Sequence, residues 1–357
     1  MKNTFGNSLS VTIFGESRGD AVGIVIDGMP AGYPLDESAI KRAMYLRSPA
    51  GDGYTARCES DDFSVISGVY CGYTCGTPIC ITIPNEKADK APAAHTVVLR
   101  PSHADYSQIC KYGEHADIRG GGHSSGRVTA ALVAAGAVIK PFIEKHGVFA
   151  GTHVLSVGNV CDRRFSDPAS EIPLVAGTAF PLLDASVKEE MLQAIRSARA
   201  QGDSLGGMLE TAVCGLDAGI GDPWFDTVEG RIAHIAFSVP GVKGIDFGGG
   251  FSLAGMRGSE ANDRFCVSQG AVATETNRSG GINGGITNGM PIVFRTAFRP
   301  APTIMKSQNT IGFPGMEPEI FAGSEKNDTC FVPRAAEVMN AAAIIALADM
   351  LAAEGKK

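Results

Sequence analysis

The sequence predicts an α+β fold in which helices are enclosed between sheet layers. Three observations carry that reading. Short β-rich runs outnumber helical ones; the stretches 128–139 and 338–351 are helical in pattern yet almost wholly apolar; and no regular alternation of strand and helix appears. A helix without a polar face must be surrounded by protein, and the missing alternation argues against a doubly wound parallel sheet. No stretch is long or polar enough to act as a linker, so one domain over 1–357 is expected.

Taken in order, 10–16 and 23–26 read as strands, joined through Gly15-Glu-Ser-Arg-Gly19 and followed by the turn Asp27-Gly-Met-Pro30. Asp36 caps a helix with Ile40, Ala43 and Met44 on one face and Arg47 at its end. Ser48 to Gly53 has the composition of a mobile loop. The runs 63–70 and 77–83 read as paired strands around a glycine turn, and 85–95 as a polar, exposed segment. Gly120 to Gly122, followed by Ser124 and Ser125, form a tight loop feeding the first apolar helix, with one of the two serines as its cap. Free N–H groups and partial positive charge at that helix start make a place for an anion, flanked in sequence by Arg119 and Arg127.

Beyond it, 147–160 reads as strand and 162–171 as loop. Ser186-Val-Lys-Glu189 reads as a capping box opening a surface helix, with Val187, Met191, Ile195 and Ala198 inward and Gly202 as its stop. The runs 205–215, 234–239 and 290–298 are strand candidates, separated by glycine-rich loops at 241–250 and 280–289. Pro333 opens the last helix.

Composition narrows the function. A net charge of -7 argues against a general nucleic-acid binder, yet arginines gather at Arg42 and Arg47, at Arg100, and at Arg119 and Arg127. A basic pocket in an acidic protein suits a small anionic ligand. Nine cysteines without a paired CxxC, and a first segment without an apolar leader core, point to reduced thiols in a cytoplasmic protein. Cys71, Cys75 and Cys80 lack a nearby histidine, so no metal site is expected. The apolar run 130–139 is too short to span a bilayer.

Four stretches, three of them glycine-containing, carry the polar groups able to meet a ligand: Gly15-Glu-Ser-Arg-Gly19, Arg100-Pro-Ser-His-Ala-Asp-Tyr106, Arg119-Gly-Gly-Gly-His-Ser-Ser-Gly-Arg127 and Asn277-Arg-Ser-Gly-Gly-Ile-Asn-Gly-Gly-Ile286. Glycine leaves backbone N–H groups accessible, which suits phosphate. Neither a P-loop nor a dinucleotide fingerprint is present. With Thr12-Ile-Phe-Gly-Glu-Ser17, Lys111-Tyr-Gly113, Gly202-Asp-Ser204, Lys243-Gly244, Arg299-Pro-Ala-Pro-Thr303 and Asp328-Thr-Cys330, these stretches resemble the chorismate synthase family from Asn3 to the final helix.

That resemblance implies a β-α-β sandwich with helices enclosed between antiparallel sheet layers, usually assembled as a homotetramer. It implies a reduced-FMN-dependent 1,4-anti elimination of phosphate from 5-enolpyruvylshikimate-3-phosphate to give chorismate, with NADPH needed only if the flavin is reduced in place. No nicotinamide-binding segment is evident, which favours external reduction. Carried over by position, Arg47, Arg100 and Arg127 would bind substrate, and Ser17 and Ser125 would lie near substrate or flavin. His123, Ser124, Ser125, Pro240, Gly241, Gly284, Arg299, Pro300, Ala301, Pro302, Thr303 and Lys326 would hold FMN. His103 would tune the flavin's protonation, and Asp328 would assist removal of its N5 proton.

The departures fall near the chemistry. The family writes Gly-Glu-Ser-His-Gly where this chain has Arg18, so the motif's proposed proton donor is replaced by a group that keeps its proton near neutral pH. Arg18 would then act as an electrostatic clamp on the leaving phosphate. Lys326-Asn327 stands for Arg-His, Pro240-Gly241 for an Asn-Ala-like pair, Arg278 for a frequent histidine, and His123 for a common arginine. A divergent paralogue with weak or altered lyase activity, or a non-catalytic scaffold, is the alternative. A scaffold has no physical need for Ser17, His103, Arg127 and Asp328.

Overall fold

The computed structural model describes residues 2–48, 61–86, 88, 97–268, 270–324 and 328–356. Most of the loop expected after Ser48, most of the polar 85–95 segment, and Lys326 with Asn327 lie outside the described residues.

Two antiparallel five-stranded sheets flank the central helices. The first comprises β1 (Thr4–Phe5), β2 (Ser10–Gly15), β3 (Ala21–Asp27), β4 (Ser64–Ser67) and β5 (Ile79–Pro84), in the order β1-β2-β3-β5-β4. Register pairs Ile24 with Ile13 on one side and Ile81 on the other. Ile79, Ile81 and Ile83 alternate inward along β5, the period-two pattern of a sheet with one buried face. The second comprises β6 (Phe149–Val157), β7 (Val160–Cys161), β8 (Gly207–Cys214), β9 (Val242–Phe247) and β10 (Ile292–Phe298), in the order β7-β6-β8-β10-β9. Here β6 is buried at every position from Gly151 to Val157, because it is covered on both faces.

The helices are α1 (Glu37–Arg47), α2 (Asp105–Tyr112), α3 (Thr129–Lys145), α4 (Pro168–Val175), α5 (Lys188–Ala200), α6 (Val228–Ala236) and α7 (Val332–Ala353), besides shorter turns. The apolar pair α3 and α7 packs side by side between the sheets, α3 against the first and α7 against the second, with α1 and α6 flanking them. Their contact is close: a Cβ on Gly136 would lie 2.5 Å from that of Ala341. Phe142, Ile139, Ile345 and Leu347 are fully enclosed there, each contributing about 1.5–3 kcal/mol relative to exposure. Gly126–Lys145 and Val332–Ala353 are long and apolar enough to cross a bilayer, longer than the 130–139 run suggested. With 72% and 83% of their apolar windows buried, their surfaces are already taken by the sheets. The fold is thus α+β, with helices between antiparallel layers as expected.

Several local expectations change. The run 234–239 is not a strand: α6 extends to Ala236, capped by Thr227, whose hydroxyl accepts from the Gly230 N–H at 2.9 Å. Val228, Ile232 and Ile235 are buried at helical spacing, and a run of only six residues cannot distinguish the two periods. The loop 162–171 contains the start of α4, opened by Pro168. Ahead of α5 the expected box at Ser186 is replaced by Asp184, which accepts from the Ser186 N–H at 2.9 Å and caps the 3₁₀ turn Ala185–Val187 leading into the helix. Met191, Ile195 and Ala198 do face inward. The run 63–70 splits: Ser64–Ser67 pairs with β5, while Val69–Tyr70 folds onto Tyr73–Thr74.

Candidate active site

The glycine loop is built to leave backbone exposed. Gly120, Gly121 and Gly122 have φ of 59°, 92° and 54°, and a Cβ on Gly122 would strike the Asp117 carbonyl oxygen at 1.9 Å. Of the two serines, Ser125 makes the cap: its Oγ accepts from the Arg127 N–H at 3.3 Å and opens the turn Gly126–Val128 that runs into α3. Gln108 of α2 holds the loop, donating through Nε2 to Ser124 Oγ at 2.7 Å and to the Gly121 carbonyl at 3.2 Å.

This loop forms one wall of a cavity of about 270 Å³. The cavity gathers Arg47, Arg100, His103, Ser124, Ser125, Pro240, Gly241, Arg299, Ala301, Pro302, Thr303 and Asp328, with Arg334 of α7 beside them. An adjoining space of about 480 Å³ shares Ser124, Ser125, Pro240 and Gly241 and adds His123 and Lys243. The far wall is fastened by backbone contacts. Arg299 N–H donates to the Gly241 carbonyl at 3.0 Å, and Ser204 Oγ donates to the Ala301 carbonyl at 2.7 Å. Gly241 has φ of 97°, and a Cβ there would meet the Phe331 ring at 2.8 Å.

The cations have unequal surroundings. Arg100 is clamped by Asp105, at 2.9 Å through Nε and 2.6 Å through Nη2. Arg299 Nη1 donates to the Ser102 carbonyl at 2.7 Å, and Arg334 donates to Asp328 at 2.8 Å, fixing that carboxylate at the cavity edge. Asp61 lies between Arg47, at 2.5 Å, and Arg127. Arg127 is buried behind the cavity and further donates to Asn85 Oδ1 and the Pro84 carbonyl, both at 3.0 Å. Arg47 is only 3% exposed and lines the cavity, yet its Nε and Nη1 have no partner among the described residues. Burial, opposed by Asp61 and reinforced by Arg334 and Arg127, pushes its guanidinium below the usual arginine value.

His103 is set by its two hydrogen bonds. Nδ1 faces the Pro101 carbonyl at 3.0 Å and must donate; Nε2 lies 2.9 Å from Thr303 Oγ1 and, in the neutral ring, accepts from it. Burial lowers its pKa, against the bond to Pro101, so the neutral ring is favoured at pH 7.

The remaining predicted residues lie elsewhere. Ser17 and Arg18 pack behind the loop: a Cβ on Gly120 would come within 3.0 Å of Ser17 Oγ and 3.2 Å of Arg18 Nε. The Ser17 N–H donates to the Gly122 carbonyl at 3.1 Å. Pro300 does not line the cavity, and Gly284 sits in the turn between Ile282–Asn283 and Ile286–Thr287, in neither space. Arg119 is taken up by Asp117 at 2.8 Å and does not reach the cavity. Lys326 lies outside the described residues. Four residues escaped the sequence reading: Asp61, Asp105, Gln108 and Arg334. Asp105 had a signal, since it lies in the same short motif as Arg100; Arg334 was hidden at the start of an apolar helix; Asp61 and Gln108 act at a distance in sequence.

A cavity lined by Arg47, Arg100, Arg299 and Arg334 against the carboxylate of Asp328, with a capped helix start at its wall, defines an enzyme site for a small polyanion. Comparison with known proteins gives that class a family. The model of the chorismate synthase family matches residues 9–352. A chorismate synthase of Pyrobaculum aerophilum is 42% identical over 349 residues, 97% of this chain and 95% of its own length. One of Methanocella arvoryzae is 40% identical over 360 residues, 99% of this chain and 95% of its own. A crystal structure of chorismate synthase matches with a TM-score of 0.78 at 30% identity, covering 98% of this chain and 93% of its own. The chain belongs to the chorismate synthase family and is an enzyme, a carbon–oxygen lyase.

Proposed function

We propose that this single-domain chain converts 5-enolpyruvylshikimate-3-phosphate to chorismate and phosphate with reduced FMN bound beside the substrate, in the cytoplasm and as a homotetramer. In the elimination one C–H and one C–O bond break, a C=C bond forms, and a proton and phosphate leave. The observation that carries the reading is Arg47, a buried guanidinium lining the cavity with Nε and Nη1 unmet. A cation in that condition is stabilised by an oxyanion, and a substrate with one phosphate and two carboxylates supplies several. Arg100 and Arg334, each steadied by its own carboxylate, are further anchors.

The residues present also fit a flavin. The two adjoining spaces share Pro240 and Gly241, with the apolar Val239 at their junction. Around them Ser124, Ser125, Thr303 and Arg299 offer donors for a ring edge and a phosphate, and His123 borders the second space. When bound, reduced flavin supplies transient electron density and a basic nitrogen for the departing proton. The chain's part is to bind and orient. Thr303 and Pro101 hold the His103 ring neutral at the cavity wall, and Arg334 holds the Asp328 carboxylate. Arg18, behind Gly120, contributes fixed positive charge to the loop without giving up a proton. Phosphate departure then relies on charge neutralisation, and the flavin arrives already reduced.

The test is an anaerobic assay of phosphate release and chorismate absorbance with dithionite-reduced FMN, comparing native protein with Arg18→His. Native turnover is expected, with the histidine variant no more than about tenfold faster; a missing general acid would cost ~10²–10⁴ in rate. An inactive native protein rescued by histidine would show that the position switches the chemistry off.

A further inference from the structure

A second cavity, of about 350 Å³, lies on the opposite side of α7 and shares no lining residue with the first. Its walls are α1, α3 and α7 on one side, and on the other the start of β6 with the loop after α4. α7 separates the two spaces: Arg334 and Val338 face the active-site cavity, whereas Glu337 and Asn340 face the second. α1 does the same, presenting Arg47 to one and Arg42 to the other.

Most of the second lining is small and apolar, but its polar groups are segregated. Asn340 stands close enough to Glu337 to lower its carboxyl pKa, while its own Oδ1 is buried and has no partner among the described residues. Burial pushes the Glu337 carboxyl up to about 7, with Lys140 and Asn340 pulling it back. The buried acceptors thus stand on the α7 wall, while the exposed Asp36, which also lines the space, is engaged by the N–H groups of Ser38 and Ala39. The cations lie nearer solvent: Arg42 is exposed, and Lys140 is 47% exposed with Glu144 at 3.5 Å. A buried acceptor without a donor is costly, so the α7 wall favours a ligand that brings one. The rim favours a carboxylate.

We propose that this cavity is a second ligand site for a zwitterion of amino-acid size, its ammonium against Asn340 and Glu337, its carboxylate toward Arg42 and Lys140, and its apolar body among the alanines. The volume falls within the range of natural small-molecule sites. Nothing in this inference depends on the chemistry of the first cavity.

The test uses L-norleucine, hexylamine and hexanoate, which share an unbranched apolar chain and differ in charged ends. Binding to the full chain is followed by calorimetry with the active site saturated by oxidised FMN and substrate. Norleucine is expected to bind saturably, and each single-ended probe to bind at least about tenfold more weakly, as loss of one charged hydrogen bond requires. Asn340→Leu removes the acceptor, and Ala137→Leu fills the cavity from the α3 side; either, provided it melts cooperatively, is expected to weaken norleucine by a similar factor. No saturable binding below about 10 mM, equal binding of all three probes, or native affinity in both variants would overturn the site.

Discussion

Two buried charge clusters in this protein look alike and do opposite work. At the active-site cavity, Arg47 and Arg127 share Asp61, two cations against one carboxylate. Inside the second sheet, His153 sits between Asp162 and Glu210, at 3.1 and 3.2 Å, one imidazole against two carboxylates. The second cluster is complete. Asp162 also accepts from the N–H groups of Arg163, Leu183 and Asp184, and Glu210 from that of Phe165. The first is complete only at Arg127; Arg47, which lines the cavity, keeps Nε and Nη1 without a partner among the described residues. A buried polar group fully partnered inside the fold holds the fold, and one left unpartnered beside a cavity is a place for a ligand.

Substitutions can separate the two roles. The largest effect is expected at Arg47→Lys, which keeps a charge near Asp61 but loses the guanidinium fork. Steady-state assay with reduced FMN is expected to give kcat/KM lower by about a hundredfold, with little change in melting temperature. Arg127→Lys reverses the pattern. Its bonds to Asn85 and Pro84 are structural, so the melting temperature falls by about 5 °C while KM stays near native. A KM effect as large as that of Arg47→Lys would erase the distinction.

His153→Gln is expected to cost about 2–4 kcal/mol of stability by denaturant unfolding, because two buried carboxylates lose the imidazole that bridges them, and to leave kcat/KM within about twofold. The native cluster also has a pH signature. Burial lowers the His153 pKa, but the bonds to Asp162 and Glu210 outweigh it, and the net shift is upward from 6.5. Its stabilisation is fully present below that value and is lost as pH rises through the higher folded value. The glutamine variant lacks this slope, and an unchanged pH profile would remove the ring from the account. The smallest effect is expected at Gln108→Leu, which frees Ser124 and the glycine loop. Flavin affinity, read by fluorescence titration, is expected to drop about fivefold, near 1 kcal/mol.

The sequence exposed the parts of this design that are local. Asp36 does cap α1, accepting from the N–H groups of Ser38 and Ala39 at 2.8 and 3.0 Å, because a cap and its helix are neighbours. The glycine loop, a serine cap at Ser124 or Ser125, and the two apolar helices were legible for the same reason. The Arg100 motif carried its own carboxylate, Asp105. Asp61 was not legible, since its partners lie 14 and 66 residues away and only the folded chain brings them together. His153 and Glu210 were hidden in runs that read as strand, 57 residues apart. Arg334 stood at the head of a helix whose apolar pattern spoke only of core. Asp328, by contrast, came from family resemblance, and its place at the cavity edge is held by a residue the resemblance did not supply.

The central contrast is tested most directly by the dissociation constant of 5-enolpyruvylshikimate-3-phosphate, measured by calorimetry with oxidised FMN present, for native protein, Arg47→Lys and Arg127→Lys. Loss of the unmet guanidinium fork is expected to weaken binding at least about tenfold in Arg47→Lys alone. Native affinity in Arg47→Lys, or a greater loss in Arg127→Lys, would contradict the assignment of Arg47 as the residue left open for the substrate.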